Sequence, residues 1–385
     1  MSVLVLIPHW PGPSELWLRR MIDAIEEDVC AIATFTPPMS NWNGRIPVID
    51  LMPRAIRFAA KAKIKWLPCL GDRALVQVFE DFRVKSVFCH YLNFALGFKN
   101  VWETIDIPLH IHCHGYDITW DCRSALFPMV RRFSRSYKGK AKQLAGHSQL
   151  IVNSELAKAS LVSDGFYEDR IVVKYIGVPV PAEPPIINRA SREINILYLG
   201  RLVDCKGPEL TVLAFDLACQ NGLNGRLTIA GDGTLYKECL RLKQASPFGN
   251  RITLLGAVDA RTGEVLRKNA DVFTAHNCFG RRTKQVESYG VSVVEAMAAG
   301  LPVVTGRSGG VCETVVDGET GILFEPLDIE AHAAALLQMS MNPNLRQRFG
   351  QAGWKRARDS FSIEREASQL RKMFGLNPNG NGDQK

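Results

Sequence analysis

The sequence lacks a C-x-x-C pair and any zinc-type cysteine/histidine spacing, although it carries ten cysteines scattered from Cys30 to Cys312. Several lie in apolar runs such as Ser86-Val-Phe-Cys-His90. They read as reduced, buried thiols of a cytoplasmic protein, not as a disulfide framework or a metal cluster. No apolar run approaches the ~20 residues of a membrane span. The start, Met1-Ser-Val-Leu-Val-Leu-Ile-Pro8, has neither a basic leader nor a small-residue cleavage site, and is expected to be a first strand instead of a signal peptide. Membrane contact, if made, is therefore peripheral, on the inner face of the cytoplasmic membrane. No nucleic-acid recognition motif or aromatic platform accompanies the basic residues.

What is present is an ordinary globular composition, 46% hydrophobic and 22% charged over 385 residues, long enough for two domains. Lys and Arg total 47 against 39 Asp and Glu, leaving +8, a balance that favours phosphates or an anionic surface without choosing between them.

Short apolar runs bounded by Gly, Pro or Asp recur: Ser2 to Pro8, Asp28 to Phe35, Ser86 to Tyr91, Pro108 to Gly115, Leu150 to Ser154 and Arg170 to Val178. Segments of helical spacing, such as Ser14 to Glu26 and Gly71 to Phe82, separate them, which predicts an α/β domain with a parallel sheet covered on both faces. The passage Val178-Pro-Val-Pro-Ala-Glu-Pro-Pro185 reads as a semi-rigid linker. Alternation resumes with runs at Ile194 to Gly200, Arg226 to Gly231, Arg251 to Gly256, Ala270 to His276, Leu301 to Gly306 and Thr320 to Pro326, then helical spacing to about Met373. The expected layout is residues 1–180 as one Rossmann-like domain, 190–375 as a second, and a polar, glycine-rich tail over 376–385. Two such sheets leave a cleft facing the carboxyl ends of their strands, where ligands bind in doubly wound folds.

The most informative stretch runs from Glu287-Ser-Tyr-Gly-Val-Ser-Val-Val-Glu295 to Gly300-Leu-Pro-Val-Val-Thr-Gly306. A helix starting near Ser288 to Gly290 puts Glu287 before it and Glu295 two turns inside. Its first amides, at Gly290, Val291 and Ser292, would be a seat for phosphate. The carboxylates suit sugar hydroxyls. A surface helix with a capping glutamate is the plainer alternative. In Tyr198-Leu-Gly-Arg-Leu-Val-Asp-Cys-Lys-Gly207 a strand ends at Gly200 and is followed by Arg201 and Lys206, two cations able to neutralise a diphosphate; a solvated basic loop is the competing reading. His90 and His114 each end a strand, and each reads either as a ligand in the cleft or as a packed imidazole. The basic loop Asn277 to Val286 reads either as an acceptor-side flap or as a variable solvated loop. The basic patches Arg54 to Trp66 and Arg131 to Lys142 read as an anionic-membrane face or as solvated helices.

Gly200-Arg201, Lys206-Gly207, the Glu287/Glu295 pair and Gly309-Gly310-Val-Cys-Glu313 through Asp317-Gly318-Glu-Thr-Gly321 resemble glycosyltransferase family 4. Ile111-His-Cys-His114-Gly-Tyr-Asp117 is similar to the His-Gly-x-Asp of its exopolysaccharide and lipopolysaccharide branch, while Pro11-Gly-Pro-Ser-Glu15 replaces the paired glycines of many members. The resemblance implies the GT-B fold, residues 1–180 taking the acceptor and 190–375 the donor. It implies retaining transfer of a hexosyl group from a nucleotide diphosphate sugar, without metal or cofactor, to a glycan, lipid-linked or small-molecule acceptor. Arg201 and Lys206 would hold the diphosphate, Glu295 the ribose and Glu287 the donor sugar. His114 would contact the hexose or the acceptor, and Ser14, Glu15, His90 and Asp117 would line the acceptor side or orient its loops. A nucleotide-sugar epimerase on the same fold is the rival enzyme, separated by an acceptor requirement.

Overall fold

The computed structural model describes residues 2–12, 15–36, 40–52, 68–121, 133–185 and 193–377, with backbone only at 68–70. The chain divides into two compact units, Met1–Tyr175 together with Glu366–Lys385, and Ile176–Arg365. The return of the chain to the first unit at Glu366 departs from the simple split at residues 180 and 190.

Seven parallel strands form the first unit's sheet: β1 (Val3–Ile7), β2 (Val29–Thr34), β3 (Val48–Asp50), β4 (Ser86–His90), β5 (Leu109–His112), β6 (Gln149–Val152) and β7 (Ile171–Val173), in the order β3-β2-β1-β4-β5-β6-β7. β3 is the strand absent from the sequence reading; its three residues, only one of them buried, are too few for the apolar run that marks the others. Side chains of a strand alternate between faces. Leu4, Leu6, Val87, Cys89, Ile111, Leu150 and Val152 pack with Phe79, Phe94, Phe98 and Leu144 in one core. Residues of the other parity, Val5, Phe88, His90, His110 and His112, are also buried, on the opposite face.

The reason that second face is buried lies at the C-terminus. Phe374 packs on Phe88 and His110 at ring distances of 5.1 and 4.8 Å. Glu366, from the helix Ile363–Met373, forms an ion pair with Lys174, both residues being fully inside. An ammonium buried this deeply survives only with a paired carboxylate. Burial lowers the Lys174 pKa and Glu366 opposes that shift.

The second unit has six parallel strands: β8 (Ile194–Leu199), β9 (Gly225–Ala230), β10 (Ile252–Gly256), β11 (Val272–Ala275), β12 (Val303–Gly306) and β13 (Gly321–Phe324), in the order β10-β9-β8-β11-β12-β13. Strand order reverses between β1 and β4 in one sheet and between β8 and β11 in the other, the switch points at which doubly wound folds bind ligands. Helices start where the sequence supplies caps: Asp259 accepts from the Thr262 amide at 2.8 Å, Asp328 from the Ala331 amide at 2.8 Å, and Pro208 opens a helix after Gly207. Helical residues after Asp328 fall into three helices, Ile329–Met341, Pro343–Phe361 and Ile363–Met373. Among the described residues no helix is long and apolar enough to cross a membrane.

Candidate active site

In the second unit the chemistry gathers at the β8/β11 switch point. Arg201 is separated from β8 by Gly200 and is exposed, while Lys206 closes a short 3-10 turn, Asp204–Lys206. Gly207, at φ +50°, then turns the chain into the helix Pro208–Gln220, and a Cβ there would lie 2.5 Å from the His276 carbonyl oxygen. Only glycine fits that left-handed crossing.

Lys206 Nζ lies 2.6 Å from Glu287 Oε2. Glu287 Oε1 accepts the Gly290 amide at 3.0 Å, so the glutamate both neutralises the lysine and caps the helix Val291–Ala298. The Gly290 amide, expected to be open to a phosphate, is thus taken by this chain's own carboxylate. The remaining first-turn amides, at Val291 and Ser292, are the ones a ligand can reach. Burial alone would raise the Glu287 pKa, but Lys206 in contact and Arg201 nearby overcome it and hold the carboxyl below its ordinary range. Gly309 and Gly310 back this loop so closely that a Cβ on either would lie 2.0 Å from the Glu287 oxygen or 2.1 Å from the Ser288 oxygen.

Glu295, two turns along, bonds Arg267 Nη1 at 3.1 Å, with both side chains largely buried. A Cβ at Gly200 would stand 3.7 Å from Lys206 Nζ and 3.9 Å from Ser292 Oγ, which places all three around one small space.

Arg267 and Asp204 were not legible as site residues. Asp204 accepts from the Arg282 amide at 2.6 Å, the Thr283 amide at 3.1 Å and the Thr283 hydroxyl at 2.7 Å. Burial opposes and these hydrogen bonds favour its ionised form, leaving its pKa lowered. The basic loop 277–286 is consequently pinned to the Arg201/Lys206 turn, closer to the donor-side motif than to a free flap. The aspartate's place inside that motif was the available signal; Arg267, 28 residues before Glu295, had none.

In the first unit His90 ends β4 and His112 ends β5, paired in register, with His114 two residues further on. His90 Nδ1 and His114 Nε2 are 3.2 Å apart, and His112 Nε2 is 2.6 Å from Asn153 Oδ1. Trp17 packs on His114 with ring centroids 4.7 Å apart. Burial lowers all three histidine pKa values, His90 to about 3, with Lys174 adding to each shift; charge from neighbouring histidines contributes to those of His112 and His114.

Asp117 is fully buried: Oδ1 accepts the His114 amide at 2.8 Å and Oδ2 the Leu92 amide at 2.9 Å. Both of its carboxylate oxygens are thus engaged by the backbone of the two loops that follow β4 and β5. Burial pushes its pKa up to about 6, against those backbone hydrogen bonds. Glu15 likewise organises its surroundings, accepting the Tyr91 hydroxyl at 2.8 Å and the Gly12 amide at 3.0 Å. Ser14 lies outside the described residues, as does the patch 54–66. In the second basic patch, Lys138 pairs with Asp164 and sits over the Trp120 ring, and Lys142 lies over Phe166, so two of its cations are engaged within the protein.

Residues 180–356 match the family model of glycosyl transferases group 1. The matched segment is similar to the glycosyl transferases of group 1. It contains Arg201, Lys206, Glu287 and Glu295, whereas the histidine cluster lies outside it. A GDP-mannose-dependent mannosyltransferase of Mycolicibacterium smegmatis acting on phosphatidylinositol monomannoside is 29% identical over 180 residues, 46% of this chain and 47% of the relative. A phosphatidyl-myo-inositol mannosyltransferase of Mycobacterium leprae is 33% identical over 181 residues, 47% and 46% of the two chains. The chain spans about half the length of the curated relatives it matches. Over the whole fold it superposes on HepE of Anabaena, solved with UDP-glucose, at a TM-score of 0.74 and 19% identity, covering 97% and 99% of the two chains. The two parallel α/β units are those of the GT-B glycosyltransferases.

Proposed function

We propose that the protein is a retaining glycosyltransferase that moves a hexosyl group from a UDP- or GDP-sugar to a glycan, lipid-linked or small-molecule hydroxyl. The pathway we infer is cytoplasmic polysaccharide or lipopolysaccharide synthesis. The observation that carries the reading is the arrangement of Arg201, Lys206 and a Glu287-capped helix start at the second unit's switch point. The UDP-glucose bound by HepE and the GDP-mannose dependence of the mycobacterial relative support a nucleotide sugar and leave both bases open.

In this reading the acceptor oxygen bonds to the anomeric carbon on the face from which the diphosphate departs. As the carbon–oxygen bond breaks, its electron pair goes to the diphosphate, which also takes the acceptor's proton. Arg201, Lys206 and the amides of Val291 and Ser292 stabilise the growing charge, and no metal is assigned to that task. Glu287 accepts from the donor sugar's hydroxyls and Glu295 from the ribose diol, its carboxylate aimed by Arg267. His114 contacts the transferred sugar or the acceptor.

The test is thermal unfolding with UDP, GDP and ADP without divalent metal. A ligand at about 100 times its Kd adds ~2.7 kcal/mol. One nucleotide should raise the melting temperature, and Arg201→Ala should abolish the rise. With the matching sugar nucleotide, the product should keep the donor's anomeric configuration. No shift with any nucleotide, with or without magnesium, would sink the reading, and an inverted product would sink its retaining step.

A further inference from the structure

We propose that His90, His112 and His114 form a binding site for a borderline-soft divalent cation of the zinc class. Each residue presents a ring nitrogen, and the three nitrogens lie within 4.8 Å of one another. The three ring centroids are 4.3, 5.4 and 5.5 Å apart. The fold explains the convergence. His90 and His112 are register partners on adjacent parallel strands, and His112 and His114 are two residues apart, so all three project from one side of the sheet end.

The donor atoms can be assigned one by one. His90 Nδ1 and His114 Nε2 are 3.2 Å apart. Two nitrogens bound at ~2.0–2.1 Å to a tetrahedral ion are separated by roughly 3.4 Å. An ion replacing the proton shared by that pair therefore needs only a small adjustment.

His112 is oriented from behind. Asn153 Nδ2 donates to the Cys113 carbonyl at 3.3 Å, which turns Asn153 Oδ1 towards His112 Nε2. A neutral His112 must donate from Nε2 to that oxygen, leaving the lone pair on Nδ1. That Nδ1 atom is fully buried and has no hydrogen-bond partner. A ring that donates its far N–H to a fixed oxygen while its near nitrogen stays open is the arrangement by which proteins orient metal-binding histidines. An orphaned buried acceptor otherwise costs about 1–3 kcal/mol, so a ligand for Nδ1 removes a penalty already present in the fold.

Charge permits the ion. Lys174 is a nearby cation that the three rings feel, its charge offset in part by Glu366, while Asp117 lies against the His114 amide. His90 and His112 are fully buried and His114 partly so, which leaves access on the His114 side. The ion takes no part in transfer. Because His114 is the ring assigned to the sugar or acceptor, a bound ion would inhibit transfer; that consequence alone rests on the transferase reading.

The experiment uses the untagged, metal-stripped full chain carrying Cys312→Ser, which removes the one thiol exposed among the described residues. Zn²⁺ is titrated against a chromophoric chelator, and Co²⁺ binding is followed by its visible absorption. The expected result is one ion per chain with nitrogen-ligand cobalt bands. His112→Gln should remove the site, and Asn153→Ser, which leaves all three rings in place, should weaken it roughly tenfold or more. Circular dichroism checks that each variant is folded, and Asn153→Ser decides the matter if His112→Gln is not. Binding weaker than about 100 μM, affinity unchanged in Asn153→Ser and in a folded His112→Gln, or a cobalt–thiolate charge-transfer band would each overturn the proposal. Zinc that binds as described without inhibiting transfer would leave the site standing and count against the role of His114.

Discussion

The switch points of the two sheets are built from opposite chemistry. In the second unit charge is kept and balanced: Lys206 against Glu287 and Arg267 against Glu295, all largely buried yet within reach of a ligand. In the first unit charge is withdrawn from the equivalent place. Three imidazoles are held neutral by burial, and the ion pair nearby, Lys174 with Glu366, is sealed in the core. In the proposed reading the charged place takes the donor's diphosphate, and the neutral one offers directed hydrogen bonds to hydroxyls when the divalent ion inferred above is not bound.

The largest effect that would sharpen this contrast is on turnover. Lys206→Met should lower kcat by a factor on the order of 10²–10³, as loss of a charge-stabilising donor does. It should also destabilise the second unit, because Glu287 is left nearly buried without its partner. Adding Glu287→Gln to that variant should restore the melting temperature while activity stays low. Equal turnover in Lys206→Met and the unaltered protein would break the comparison.

Next comes the sealed pair. Glu366→Ala should destabilise the first unit by about 3–5 kcal/mol, whereas replacing Lys174 and Glu366 together by Met and Leu should cost far less, since an unpaired buried charge is the penalty. Nucleotide binding should survive in the double variant. A loss of nucleotide affinity there would show that the pair belongs to the functional site.

A smaller effect follows from pH. In the second unit a directed chain of neutral groups runs behind β11. The Leu327 amide donates to His276 Nε2 at 2.9 Å, His276 Nδ1 then faces His332 Nδ1 at 3.0 Å, and His332 Nε2 faces the Thr274 hydroxyl at 2.8 Å, which donates to the Val304 carbonyl. Burial lowers the His276 pKa to about 4, with Asp328 opposing, and that of His332 well below its ordinary value. Unfolded, both titrate near 6.5, so below that pH the unfolded chain binds protons that the folded chain refuses. Stability from these residues is full above about pH 6.5 and falls as pH drops towards 4, by up to ~1.4 kcal/mol per pH unit for each. Melting curves between pH 7.5 and 4.5 should show the decline, to which the buried histidines of the first unit add, and His332→Gln should make it shallower. A melting temperature constant over that range would remove this chain from the account.

The smallest expected change is at Cys312, exposed among otherwise buried or half-buried thiols of the described residues. Cys312→Ser should leave melting temperature and nucleotide affinity within error, and a larger shift would mean that residue touches the site.

The two switch points also differed in how far the sequence disclosed them. Arg201, Lys206, Glu287 and Glu295 stand in two short segments at strand and helix ends, where spacing alone says which side chains can meet. The helix start near Gly290 and the second unit's alternation of strands and helices followed from the same local periodicities. What spacing could not supply was pairing across the sheet. Arg267 reaching Glu295 and Asp204 pinning the loop at Thr283 depend on elements brought together from 28 and 79 residues apart.

The histidines make the division clearest. Composition, the parity of apolar residues and the glycine and proline punctuation were enough to determine a two-unit parallel α/β chain, because those signals act over one turn or one strand. The placement of His90 beside His112, of Asn153 behind it, and of Glu366 on Lys174 was decided by tertiary structure alone. Those contacts exist only once parallel strands separated by whole crossover connections are set in register, and once the last helix of the chain closes the face that the histidines share.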